Sequence, residues 1–185
     1  MLMGNNNYII DRKNIPQEVV SIPVSLSKSM QRKYFVGQTE GLWVGSKSNA
    51  WAGLVNPHNS GVDLYANVFT ISNFSDNYLT AEIWLNSSFP EKGNVSKRVS
   101  PSNTASRLPS KNEVNIRFIK SSTKVPENGV NVYKRIVPPK ATLVAEEDGK
   151  FIESPGGSYV IIIKSSTSKL SDIIVAFGWW EKSRC

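Results

Sequence analysis

The chain is almost bare of the residues that carry covalent and metal chemistry. Its 185 residues hold one cysteine, Cys185, and one histidine, His58. A single cysteine excludes an internal disulfide. Cys185 is then either an incidental thiol or a bridge to a neighbouring subunit. Any Ser-His-Asp or Cys-His arrangement would have to use His58. That residue lies in Asn56-Pro57-His58-Asn59-Ser60-Gly61, a loop by composition, with no nucleophile motif around it. No Cys/His cluster has zinc spacing, no run has the pattern of a calcium loop, and no glycine pattern cradles phosphate. No cofactor and no metal are expected.

Long apolar stretches are missing too. The longest, residues 159–163 and 173–177, are far too short to cross a bilayer. The opening MLMGNNNYIIDRKN has no basic segment followed by an apolar one, so no secretion signal is expected and the compartment stays open. Paired carboxylates are the one catalytic device left, with Glu82, Glu153, Asp172 and Glu181 as candidates. Nothing in their spacing brings them together, and the chain is read as non-enzymatic.

What is present is β-structure. Residues 62–87 read VDLYANVFTISNFSDNYLTAEIWLNS, two strand-like runs around a polar turn. In the second run Leu79, Ala81, Ile83 and Leu85 share one face, and Thr80, Glu82 and Trp84 share the other. Short strands are expected at 34–36, 42–44 and 51–55. Residues 86–111, rich in Pro, Ser and Asn, read as a long basic connection. Asn128-Gly129 and Asp148-Gly149 supply the positive φ angles of hairpin turns. Pro155-Gly156-Gly157 is a further turn before residues 158–164, a strand buried on both faces. A last strand over 172–181 ends in Gly178-Trp179-Trp180-Glu181. A helical turn is expected only at 27–33. No repeat has a fixed period. The pattern predicts an all-β fold: a single jelly-roll-like β-sandwich of about eight core strands over residues 27–185.

Residues 1–26 read differently, as an arm plus one extra strand. Asn5-Asn6-Asn7 is turn-prone, and Tyr8, Ile9 and Ile10 form an apolar plug. Over residues 18–26, Val20, Ile22, Val24 and Leu26 alternate onto one face. Pro16 and Pro23 mark the segment as an edge strand or one exchanged with another subunit.

The net charge is +7. Residues 91–135 hold ten Lys/Arg against three Glu, which accounts for the whole surplus. An anionic surface polymer is one partner this suggests, and ordinary solvated faces are the other reading. The basic residues are dispersed, and no nucleic-acid motif accompanies them. Of five tryptophans, Trp179 and Trp180 must face opposite ways in a regular strand. Trp43, Trp84 and Trp180 are candidates for stacking on sugars, in a carbohydrate- or surface-polymer-binding module.

The motifs Gly61-Val62-Asp63-Leu64-Tyr65, Thr70-Ile71-Ser72-Asn73 with Ser75, Pro155-Gly156-Gly157-Ser158 and Gly178-Trp179-Trp180-Glu181 occur in an order that resembles small single-domain jelly-roll proteins of Firmicutes and their phages. The resemblance covers about residues 51–181. It implies an uncharacterised protein, a phage virion or tail component, or a spore-surface appendage subunit built by strand exchange. Those appendage subunits carry several cysteines near the N-terminus, and this chain has only Cys185. The expectation is a structural protein that forms homo-oligomers or filaments, with Tyr8, Ile9, Ile10, Val20, Ile22, Val24, Leu26 and Cys185 at the contact.

Overall fold

The computed structural model describes residues 19–105 and 110–184. Tyr8, Ile9, Ile10 and Cys185 lie outside the described residues. One short helix precedes the strands, α1 (Val24–Met30). The strands are β1 (Tyr34–Gln38), β2 (Leu42–Val44), β3 (Asn49–Val55), β4 (Val62–Asn73), β5 (Leu79–Leu85), β6 (Asn94–Val95), β7 (Val99–Pro101), β8 (Asn115–Ser122), β9 (Val130–Val137), β10 (Ala141–Glu153), β11 (Ser158–Ser165) and β12 (Ser171–Ser183). They form two antiparallel sheets packed as an all-β sandwich. Sheet 1 runs β10-β4-β12-β1-β7, with β2 also on β12; sheet 2 runs β6-β8-β3-β11-β5-β9.

Alternation along each strand decides which side chains meet between the sheets. Leu79, Ala81 and Ile83 of β5 point inward, as do Tyr159, Ile161 and Ile163 of β11, and Ile173, Val175, Phe177 and Trp179 of β12. β11 is buried on its outer face as well. There Val160 and Ile162 join Trp51 and Ile119 in a second apolar cluster, covered by Trp84 and Phe89. The expectation of a doubly buried strand is met because the loop after β5 folds back over sheet 2.

β4 carries one extra residue, Asn67. Its inward set is Leu64 and Ala66 before that point and Phe69 and Ile71 after it. Opposite Asn67, β10 bulges by four residues, from Glu146 paired with Val68 to Phe151 paired with Ala66.

Three sequence expectations are corrected. Asp148 and Gly149 do have φ of 51° and 72°, but the chain does not reverse there. They form the bulge of β10, which continues on the same partner β4. Asn128-Gly129 does not close a hairpin either, because β8 pairs with β3 and β6 while β9 pairs with β5 at the far edge of sheet 2. Gly129 is needed for a close approach: a Cβ there would lie 2.6 Å from the Leu85 carbonyl oxygen. Last, residues 19–26 contain no strand. Val19–Pro23 have no regular structure, and Val24 and Leu26 belong to α1. A strand needs a ladder partner; from Pro23 onward the chain satisfies itself locally, with the Ser27 amide donating to the Pro23 carbonyl at 3.0 Å.

The loops after β3, β5 and β10 gather at one end of the sandwich. The Asn56 amide donates to the Gly157 carbonyl at 3.0 Å, and the Asn86 amide donates to the Ser158 carbonyl at 2.8 Å.

Candidate assembly surface

The segment before β1 is the most apolar exposed stretch of the described chain. Val19 is 82% exposed and Val20 75%, and Ile22, Val24, Leu26 and Met30 are exposed as well. α1 buries no residue and has no side-chain cap. Three of its seven residues are serines, which favour caps and turns over helix interiors. A seven-residue helix with no buried face is marginal on its own. Its side-chain tie to the sandwich is the Ser102 hydroxyl, which donates to Ser29 Oγ at 2.8 Å. Four of the sequence-predicted contact residues, Val20, Ile22, Val24 and Leu26, therefore lie together in the open, although not on a strand.

The outer face of sheet 1 offers an apolar furrow of about 580 Å³. Its shape follows from register. Gly178 of β12 lies between Val36 of β1 and Val68 of β4, and Ala176 lies between Gln38 and Thr70. Small side chains on the middle strand with larger ones on either side make a trough. Arg98 and Ser100 add a polar rim. Two residues further along β12, Trp180 stands between Tyr34 and Tyr65, with ring centroids at 6.4 Å and 5.3 Å. Sequence reasoning missed this furrow. Ala176 and Gly178, small residues on one face of an otherwise bulky strand, were the available signal, but the flanking valines are set by register.

The other predicted residues are placed as follows. Trp180 is 5% exposed, stacked on both sides, with Gly149 against its ring. It has no free face for a sugar, which removes it as a stacking platform. Trp84 packs against the outer apolar cluster of sheet 2 and its indole Nε1 donates to Glu82 at 3.3 Å. Trp43 is exposed, with the Lys120 ammonium 5.3 Å from its ring. The three do not form one platform. Glu153 and Glu181 flank Leu64 from β10 and β12 and are both buried, but none of the described cavities is lined by two of the four candidate acids.

Of the basic residues between 91 and 135, Lys120, Lys134 and Arg135 form ion pairs within the fold. Lys134 and Lys164 pair with Glu82 at 3.2 Å and 2.7 Å, and Lys120 pairs with Glu40 at 3.3 Å. Arg135 Nη2 donates to buried Glu147 at 2.9 Å, under the rings of Phe69 and Tyr133. Among the described residues no group of acids, cysteines and histidines is placed to hold a metal ion, and no helix is long and apolar enough to cross a membrane.

The sequence model of one protein family, described as "Family of unknown function (DUF6143)", matches residues 6–185. No curated protein and no solved structure matches the chain.

Proposed function

Since the chain belongs to the DUF6143 family, whose function is unknown, we propose from its geometry that it is a non-enzymatic structural protein that self-associates. The segment before β1 is lent to a neighbouring copy, and its apolar side chains seat in the furrow of that copy's sheet 1. The observation that carries this reading is the run of exposed Val19, Val20, Ile22, Val24, Leu26 and Met30 on a molecule that also keeps an apolar trough open. An exposed apolar strip of this kind marks a contact surface.

The body suits such a role. With β2, β6, β7 and β8 set aside, sheet 1 reads β10-β4-β12-β1 and sheet 2 reads β3-β11-β5-β9. We read this as jelly-roll wiring of eight strands with an insertion between β5 and β9. A contact in which one copy's arm meets another copy's furrow is head-to-tail, so it closes into a ring or runs on as a filament. A virion component or a surface-appendage subunit is the setting that the sequence resemblance implies. Strand addition to the open edges of β9 or β10 is the other way to receive the arm.

Size-exclusion chromatography with light scattering, and electron microscopy of the full chain, test the reading. Oligomers that vanish when residues 1–26 are deleted are the expected result; a strictly monomeric full-length protein overturns it. Ala176→Arg fills the furrow without touching β9 or β10. It is expected to abolish assembly, whereas intact assembly would move the contact to a strand edge.

A further inference from the structure

The furrow on sheet 1 has a pitch, a closed end and a charged end, and together these select one segment of the chain. Its floor falls at Ala176 and Gly178, two residues apart on one face of β12. Two residues along a strand span about 6.4–6.8 Å. Side chains of β1 and β4 form the walls, and those strands, one on each side of β12, lie about 9.5 Å apart. Beyond Gly178 the next outward side chain of β12 is Trp180, stacked between Tyr34 and Tyr65, which ends the trough. At the other end Arg98 stands in the row of Ala176: Gln38 pairs with Ala176, and its amide donates to the Arg98 carbonyl at 3.1 Å. The side chains of Lys97 and Arg98 are exposed there, and among the described residues neither pairs with an acid. No acid lines the furrow.

An occupant that fits is extended. It has apolar side chains at two alternate positions, at the pitch of the two floor residues, and an acid two residues outside them to meet the cationic end. Residues 1–26 contain two acids, Asp11 and Glu18. Around Asp11 the alternate positions are Ile9 with Asn7 on one side and Lys13 with Ile15 on the other, so neither side has the pattern. Before Glu18 they are Pro16 and Asn14; after it they are Val20 and Ile22. Glu18-Val19-Val20-Ser21-Ile22 is therefore the one match in the arm. Its second half is already held straight: Ile22 precedes Pro23, which disfavours helical geometry at that residue, and α1 starts only at Val24. Val20 is 75% exposed and Ile22 43%, so they do not fill the furrow of their own copy.

Resting on the self-association proposed above, we infer that residues 18–22 are the part of the arm that seats in the neighbouring copy's furrow. Val20 lies over Ala176 and Ile22 over Gly178, so the segment runs parallel to β12, and the Glu18 carboxylate meets Lys97 and Arg98. The two ends of the furrow fix this polarity. Reversed, Glu18 would lie against the Trp180 stack and both cations would keep no partner. An ion pair at a solvated rim adds little affinity. Glu18 therefore sets direction and register, and Val20 and Ile22 hold the contact.

The test uses the full chain, with the fold of each variant verified by circular dichroism and assembly read by light scattering across a concentration series. Val20→Asp is expected to raise the concentration of half-assembly at least tenfold, whereas Ile15→Asp, in the same arm but outside the seat, is expected to shift it less than threefold. Glu18→Arg and Arg98→Glu are each expected to weaken assembly, and the two together to recover it. Disulfide trapping in a Cys185→Ser background reads the polarity. A chain carrying Glu18→Cys, mixed with one carrying Arg98→Cys, is expected to cross-link at least fivefold more than Ile22→Cys mixed with Arg98→Cys. If the parent assembles but Val20→Asp assembles as well as the parent, the seat is overturned and self-association stands. A double charge reversal that recovers nothing, or trapping that favours Ile22, overturns it in the same way. A monomeric parent removes both readings.

Discussion

Glu153 is a carboxyl held where water barely reaches. It is 5% exposed at the inner end of β10, and burial pushes its pKa from 4.5 up to about 7. Between those values the folded protein keeps a proton that the unfolded chain has released. Stability is therefore full below about pH 4.5 and falls as pH rises toward 7, by about 3 kcal/mol at most. Urea unfolding of Glu153→Gln is expected to show a flatter profile across that window and a more stable protein at pH 8. Glu82 has the opposite sign. Burial alone would raise it, but the ammonium groups of Lys164 and Lys134 outweigh burial and hold it below the usual range. Its contribution is lost only as pH falls through its depressed pKa, so the two acids act in separate windows. Both were visible in the sequence as lone carboxylates in strands. Their surroundings were not, because Lys134 and Lys164 reach Glu82 from two other strands.

At the scale of elements, the sequence spoke most clearly about backbone geometry and least about partners. Asp148-Gly149 shows both halves. The dipeptide forced two positive φ values, as expected, yet whether such a pair reverses a chain or bulges it depends on what lies alongside. Here β4 runs past both halves of β10 and keeps them in line. Gly149 also packs directly on the Trp180 ring, so an added Cβ would meet that ring as well as an unfavourable φ of 72°. Gly149→Ala is expected to cost about 2–4 kcal/mol in urea unfolding and to change the near-ultraviolet dichroism of the tryptophans. The segment before β1 shows the same limit. Alternation at Val20, Ile22, Val24 and Leu26 fits a strand, but no sheet edge of this copy pairs with it, and Val24 and Leu26 coil into α1 instead. The doubly buried β11 was legible because an unbroken apolar run needs no register to interpret.

For the whole molecule, the sandwich was legible from strand count and alternation, while the order of strands in each sheet was not. That order depends on contacts between residues far apart in the chain, such as Tyr34 with Trp180. The charge surplus was legible too, but the pairing of Lys120, Lys134 and Arg135 with Glu40, Glu82 and Glu147 was hidden. An association through apolar side chains in an apolar furrow is not weakened by screening. The proposed oligomers are accordingly expected to persist from ~0.05 M to ~1 M sodium chloride in size-exclusion runs, where a contact made by surface ion pairs would dissociate.

The position of β12 has a consequence for how the protein is made. It follows every other strand in the chain, yet it occupies the middle of sheet 1, pairing with β1, β2 and β4. Until β12 has been made, those strands keep unpaired rows of amides on the edges that face it, and sheet 1 cannot close. Closing sheet 1 therefore needs pairings between residues far apart in the chain, with a high loop-closure entropy, slow by the standards of small domains. A chain cut short before Ser171 would not be a slightly weakened version of this protein but an unclosed one, left for chaperones or proteases.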